Sequence, residues 1–303
     1  MEGFLPTRLE NGYSVLILEN DFLKVDVVPG IGGRILQIHH KPTGQDILWR
    51  NEQLRLELHP PGTSYDPNFL GGVDECIPSD VEEKVDELIY PDHGELWTTP
   101  LLPRFAEDSV ELTGILPVTG LKYQKTMSMK PDESALQIDY RIENVSTKPR
   151  DFQWKMHPAF IISPGDTLEV SAGRGEYPDA QWSRLGVSGS FDWPVMNSHD
   201  LSVIPEKNGT AELFFLSQLA VGCASLKSPS RGISATLSFD TSVFPYLHVF
   251  GTYGGFEGHY TLIIEPCMAS GLQVLAAREQ GETGHLEPEE TITTTLVYTV
   301  SNL

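Results

Sequence analysis

The chain has 303 residues and carries 42 Asp and Glu against 21 Lys and Arg, a formal net charge of −21. This excess of carboxylates repels a phosphate backbone and no local basic stripe offsets it, which excludes nucleic acid as a partner. The longest apolar runs, such as Val15-Leu16-Ile17-Leu18, fall far short of the roughly 20 residues a membrane helix needs, so no membrane association is expected.

The start, Met1-Glu2-Gly3-Phe4-Leu5-Pro6, has neither a basic segment nor an apolar one, so no secretory signal is expected and the location is read as cytoplasmic. With 40% hydrophobic and 9% aromatic residues the chain can build a substantial core. Cys76, Cys223 and Cys267 are odd in number and far apart, which fits reduced thiols rather than a disulfide framework or a thiolate zinc site.

Gly and Pro, 27 and 22 residues, break the chain at short intervals. Between the breaks, β-rich and partly alternating segments occupy 13–18, 22–28, 34–39, 109–115, 121–129, 135–143 and 152–157. The second half continues with 211–216, 221–226, 232–239, 246–250, 260–265 and 291–300. Helices are expected only at 81–89 and 272–279. About fourteen strands without intervening helices cannot make parallel βαβ units, so the sheets should be antiparallel. No fixed repeat suggests a propeller. The loop-rich stretch 163–203 contains Trp182, Phe191 and Trp193, residues suited to packing rather than tethering. The expectation is a single all-β domain over 1–303 with two large packed sheets and few short helices.

Three segments combine ionisable residues with turn formers: Tyr90-Pro91-Asp92-His93-Gly94-Glu95-Leu96-Trp97, Trp154-Lys155-Met156-His157-Pro158-Ala159-Phe160, and Ile263-Ile264-Glu265-Pro266-Cys267. His157 and Glu265 each precede a proline after an apolar stretch, which reads as a strand end beside a cleft. A carboxylate there must be paired, hydrogen-bonded or functional. Each also has a plainer reading: a satisfied core histidine for His157, a buried ion-pair partner for Glu265, and a turn cap for His93.

The ordered series Gly32-Gly33-Arg34-Ile35, Gly71-Gly72-Val73-Asp74-Glu75-Cys76-Ile77-Pro78, Asp92-His93-Gly94-Glu95, Met156-His157-Pro158-Ala159-Phe160 and Ile264-Glu265-Pro266 resembles the galactose mutarotase (aldose 1-epimerase) superfamily. It is most similar to the divergent branch near hexose-phosphate mutarotase-like proteins. The resemblance implies an antiparallel β-supersandwich with a carbohydrate site on the concave face of one sheet. It also implies that His157 and Glu265 are the catalytic pair and that His93 contacts the sugar. One departure leaves the substrate open: Asp74-Glu75 replaces the Asn-Arg pair that follows the Gly-rich motif in galactose mutarotases.

Mutarotation needs a base at the C1 hydroxyl and an acid at the ring oxygen, roles that Glu265 and a protonated His157 would fill without metal or organic cofactor. Trp97 and Trp154 are candidates for a sugar-stacking platform or for plain core. Asp74 and Glu75 are placed in the cleft because Gly71-Gly72 lets the backbone approach a ligand. Arg34 is a candidate contact to a substrate hydroxyl or a structural strand start. His93, His157, Glu75 and Glu265 lack the spacing that would support a metal site. The glycines of 251–258 read as a turn flanking the site. Between Asp74 and Glu95 acids crowd the sequence; beside the cleft their field would favour neutral over phosphorylated sugars. The function expected is an aldose 1-epimerase-like isomerase acting on a small carbohydrate, with a homodimer as a compatible assembly. The alternatives are a lyase or glycosidase on the same scaffold, or a sugar-binding protein without catalysis.

Overall fold

The computed structural model describes residues 7–303. The segment Met1 to Pro6, on which the expectation of no secretory signal rests, lies outside the described residues. The alternating segments form antiparallel strands in two large sheets. The larger has 12 strands, in the order Thr7–Glu10, Tyr13–Glu19, Leu23–Val28, Arg34–His40, Val73–Cys76, Lys155–Phe160, Tyr260–Cys267, Tyr246–Tyr253, Thr210–Ser217, Arg174–Tyr177 and Gly189–Phe191, with Gln45–Asp46 beside Arg34–His40. The smaller has 8, in the order Thr167–Val170, Cys223–Ser228, Ile233–Phe239, Thr291–Asn302, Ala135–Asn144, Leu121–Ser128, Ser109–Ile115 and Leu102–Phe105.

Alternation is plainest in the smaller sheet. Along Leu121–Ser128 every second residue is buried, and Ala135–Asn144 repeats the pattern with Leu136, Ile138, Tyr140 and Ile142. These side chains meet Val25, Ile35, Met156, Phe214 and Ile264 of the larger sheet in one continuous core. The opposite face of the larger sheet carries a separate group of side chains, described below.

The structure corrects three local expectations. The segment 81–89 is not a helix but a hairpin, Glu83–Val85 with Leu88–Tyr90. Its turn uses Asp86 at φ +52°, a left-handed conformation that Asp tolerates, and Val85 and Tyr90 bury against Val274. His157 and Glu265 are not strand ends, because their strands continue to Phe160 and Cys267. Pro158 and Pro266 have a φ compatible with extended backbone and each removes only one ladder donor. Finally, Val73–Cys76 is a central strand that the sequence does not reveal, because all four residues are buried although two are acids.

The helix expected at 272–279 is present as Val274–Gln280, ended by Gly281 at φ +74° and capped at its start by Glu83, whose carboxylate accepts from the Val274 N–H at 2.7 Å. Among the described residues no helix is long and apolar enough to cross a membrane.

Candidate active site

Four strands lie side by side at the middle of the larger sheet, and their parity decides which side chains share its outer face. In Val73–Cys76 and Lys155–Phe160, His157 pairs with Asp74. The pairings Lys155 with Cys267 and Ala159 with Ile263 bracket His157 and Glu265, so these two stand opposite each other across neighbouring strands. Glu265 in turn pairs with His248. The result is one transverse row, Asp74, His157, Glu265, His248, with Lys155 in the adjacent row.

Loops wall the middle of this row, His157 and Glu265, into a cavity of about 280 Å³, close to the lower bound of the roughly 300–1,000 Å³ typical of small-molecule sites. Its polar lining is Asp66, Asp80, Asp92, His93, Lys155, His157 and Glu265, and its aromatic lining is Tyr65, Phe69, Trp182, Phe250 and Phe256. His93 is aimed by a turn in which it has φ +53° and its N–H bonds to the Asp80 carbonyl at 2.9 Å. Its ring stacks flat on Tyr65, with centroids 3.9 Å apart and 8° between planes. Burial opposes a charge on His93, but its hydrogen bond to Asp92 at 2.8 Å and the nearby Asp80 charge prevail and raise its pKa.

His157 is held from behind by a relay of polar groups. Arg34 donates to Gly71 O at 2.8 Å and to Asp74 Oδ2 at 2.6 Å. Tyr65 donates its hydroxyl hydrogen to the same Asp74 oxygen at 2.8 Å, and its own oxygen lies 3.3 Å from His157 Nδ1. Since that hydroxyl donates to Asp74, it accepts from the imidazole, which places the hydrogen on Nδ1. Asp74 Oδ1 stands 3.4 Å from the same nitrogen. Burial works against the Asp74 charge, yet Arg34 and the His157 hydrogen bond hold its carboxyl well below the usual range. Nε2 of His157 has no protein partner among the described residues and the side chain lines the cavity.

Glu265 has a different setting. Its Oε2 is fully enclosed and lies 2.6 Å from Lys155 Nζ, which stands 2.6 Å from Asp80 Oδ1 as well. Oε1 has neither protein partner nor full enclosure, so it is the oxygen presented to the cavity. Burial disfavours the charge on Lys155, but Asp80 and Glu265 together keep its pKa well above normal. The same ammonium overrides burial to bring Asp80 down to about 2. His248, enclosed beneath Phe215 and next to Lys155, is pushed down to about 4 by burial and by that charge.

The expected site residues thus separate. His157, Glu265 and His93 line one cavity. Asp74 and Arg34 lie beneath His157 and do not line it. Glu75, expected in the cleft, faces the opposite way into the core between the sheets, since neighbouring strand residues point to opposite faces; it bonds Lys125 at 2.9 Å and Tyr140 at 3.0 Å. Trp154 also fills that core, against Tyr140 and Phe244, and is no platform. Trp97 is buried edge-on behind Tyr65, 5.2 Å between centroids. The glycines Gly71 and Gly72, at φ +81° and +76°, do not serve a ligand: a Cβ there would strike the Trp49 and Ile35 carbonyls. The turn 251–258 does flank the cavity, through Phe256.

The acidic stretch is likewise dispersed. Asp80 and Asp92 reach the cavity, whereas Glu95 accepts from Val118 and Thr119 inside the fold, Asp86 pairs with Arg278 and Glu87 with Lys148. Lys155, Asp66 and Tyr65 are among the cavity residues that sequence reasoning missed. Lys155 carried a signal, two residues before His157 and therefore on the same face of its strand. The loop 65–69 has no periodicity that could reveal it. Among the described residues no three His, Cys, Asp or Glu side chains converge as a metal-ligand set.

Residues 3–63 match a family model described as a domain of unknown function, DUF5107. Solved structures with the same fold include the Slr1438 protein of Synechocystis sp. PCC 6803, at 17% identity over 99% of this chain and 100% of that one, TM-score 0.73. A galactose mutarotase-like protein from Clostridium acetobutylicum aligns at 14% identity over 98% of each chain, TM-score 0.71. A provisionally named aldose 1-epimerase from Escherichia coli K12 aligns at 16% identity over 96% of this chain and 100% of that one, TM-score 0.71.

Proposed function

We propose, from the galactose mutarotase-like fold of this chain, that it interconverts the α and β anomers of an uncharged aldose by general acid-base ring opening. One observation carries the reading: Glu265 and His157 stand opposite each other on the floor of one sugar-sized cavity, with Glu265 Oε1 and His157 Nε2 hydrogen-bonded to no protein group among the described residues.

In this reading Glu265 Oε1 takes the proton of the C1 hydroxyl, the bond between C1 and the ring oxygen breaks as the C1 carbonyl forms, and protonated His157 gives its Nε2 proton to the ring oxygen. Rotation about C1–C2 then exposes the other carbonyl face. On closure neutral His157 takes the proton back and Glu265 returns its own to O1, so the protein ends unchanged. The Arg34, Asp74 and Tyr65 relay holds the ring at Nδ1 and so keeps Nε2 on the cavity side. The aromatic wall offers apolar faces to the pyranose, and His93 a donor to a hydroxyl.

Charge supports an uncharged substrate. The lining holds four carboxylates and one lysine, and that lysine is already bound to two of them. A lyase acting on acidic polysaccharide would need free cations here. NMR exchange of anomers across a panel of aldoses tests the proposal: wild type should accelerate exchange, and Glu265→Gln and His157→Ala should each lose about 10³-fold. Saturable sugar binding with exchange no faster than in buffer would make this a binding protein instead.

A further inference from the structure

We propose that Lys155, clamped by Asp80, is a positioning residue of the acid-base pair: it fixes the Glu265 carboxylate through Oε2, supplies its counter-charge, and so turns Oε1 to the substrate. This rests on the mutarotase reading of the same site. Lys155 lies on the His157 strand at the next position of the same face, and its side chain is only 7% exposed. A long flexible ammonium in that position could adopt many directions; two carboxylates at 2.6 Å on either side leave it one.

Oε2 is the Glu265 oxygen nearest the ammonium, in an ion-pair contact within the enclosed part of the site. A carboxylate held by one oxygen against a fixed cation keeps the other in a defined direction, which is what proton abstraction from a single hydroxyl demands. Asp80 comes from a loop and Glu265 from a strand, so the lysine also ties the cavity wall to its floor. The buried charge balance is local. The groups facing Lys155 and Glu265 are Asp80, Cys76, Cys267, His248, His93 and His157, and none besides Lys155 bears a permanent positive charge. Removing the ammonium leaves two enclosed carboxylates facing each other, whereas removing Asp80 leaves the ammonium to Glu265 alone. The two changes therefore alter the charge facing Glu265 in opposite directions.

The test is the pH profile of kcat/KM for anomer exchange in wild type, Lys155→Met, Lys155→Arg and Asp80→Asn. Lys155→Met should lower kcat/KM at pH 7 about 100-fold and move the acid limb up by about one pH unit or more. Lys155→Arg should bring the acid limb back. Asp80→Asn should move it below wild type, mainly through kcat. A purely structural lysine would change expression and thermal midpoint with coincident acid limbs in all four proteins, and that result overturns the inference while leaving the mutarotase reading intact. Should Lys155→Met fail to fold, the Asp80→Asn limb decides: a downward shift supports the clamp, an unmoved limb defeats it. A wild type that accelerates no anomer exchange defeats both.

Discussion

Each face of the larger sheet meets a buried lysine-carboxylate pair, the inner one completed by Lys125 of the smaller sheet, and only the outer one borders a cavity. On the inner face Lys125 holds both oxygens of Glu75, at 2.9 and 3.2 Å, Tyr140 adds a third bond, and both charged side chains are fully enclosed. On the outer face Lys155 holds one oxygen of Glu265 and leaves the second beside a cavity. Burial and charge are nearly the same, so neither of them marks a site. The difference is whether all polar valences are consumed inside the protein: a closed pair specifies packing, and an open one retains an atom for chemistry.

The comparison can be broken by exchanging charges for neutral isosteres on each face. Glu75→Gln strands Lys125 between the sheets and should cost about 3–5 kcal/mol of stability in denaturant unfolding, with exchange per folded molecule unchanged. Replacing both partners, Glu75→Leu with Lys125→Met, should recover most of that loss. Glu265→Gln should do the reverse, with about 10³-fold less exchange and little change in the unfolding midpoint, because Asp80 still balances Lys155. If Glu265→Gln destabilised the protein as much as Glu75→Gln and left exchange intact, the two faces would have to trade roles.

A third prediction concerns pH. His248 is held near 4 in the fold against 6.5 in a free chain, so its neutral form is the native one. Its contribution is complete above pH 6.5 and declines as pH falls towards 4, by about 3 kcal/mol at most. Asp80, depressed from 3.8 to about 2, adds a further loss only below that window. Thermal midpoints at pH 7 and pH 5 should differ in wild type and converge in His248→Gln. The smallest effect is expected for Tyr65→Phe, which removes the hydroxyl joining Asp74 to His157 and should lower kcat about tenfold with KM little changed.

The regular strands were legible because one face of each is apolar, as in Leu121–Ser128. Val73–Cys76 was not, since ion pairs bury both of its faces and no polar face remains to alternate with. That omission carried over to the site: once Val73–Cys76 is a strand, Asp74 and Glu75 cannot both face a cleft. Parity also separates Trp154 from His157, which lie an odd number of residues apart along nearly continuous extended chain. The motifs did single out His93, His157 and Glu265, and the cavity brings them together. The aromatic wall was beyond reach, because Phe69, Trp182 and Phe256 sit on loops whose approach to the sheet is decided by tertiary packing.

The transverse row has a consequence for how the molecule is made. Tyr246–Tyr253 and Tyr260–Cys267 are neighbours in the chain and can pair as soon as both exist, but Asp74 and His157 reach the row only through pairings between distant segments. Loop closure of that kind is the slow part of folding a β protein. The cavity floor therefore depends on pairings between distant segments, and a chain in which only the neighbouring strands have paired still lacks the row whose middle lines the cavity.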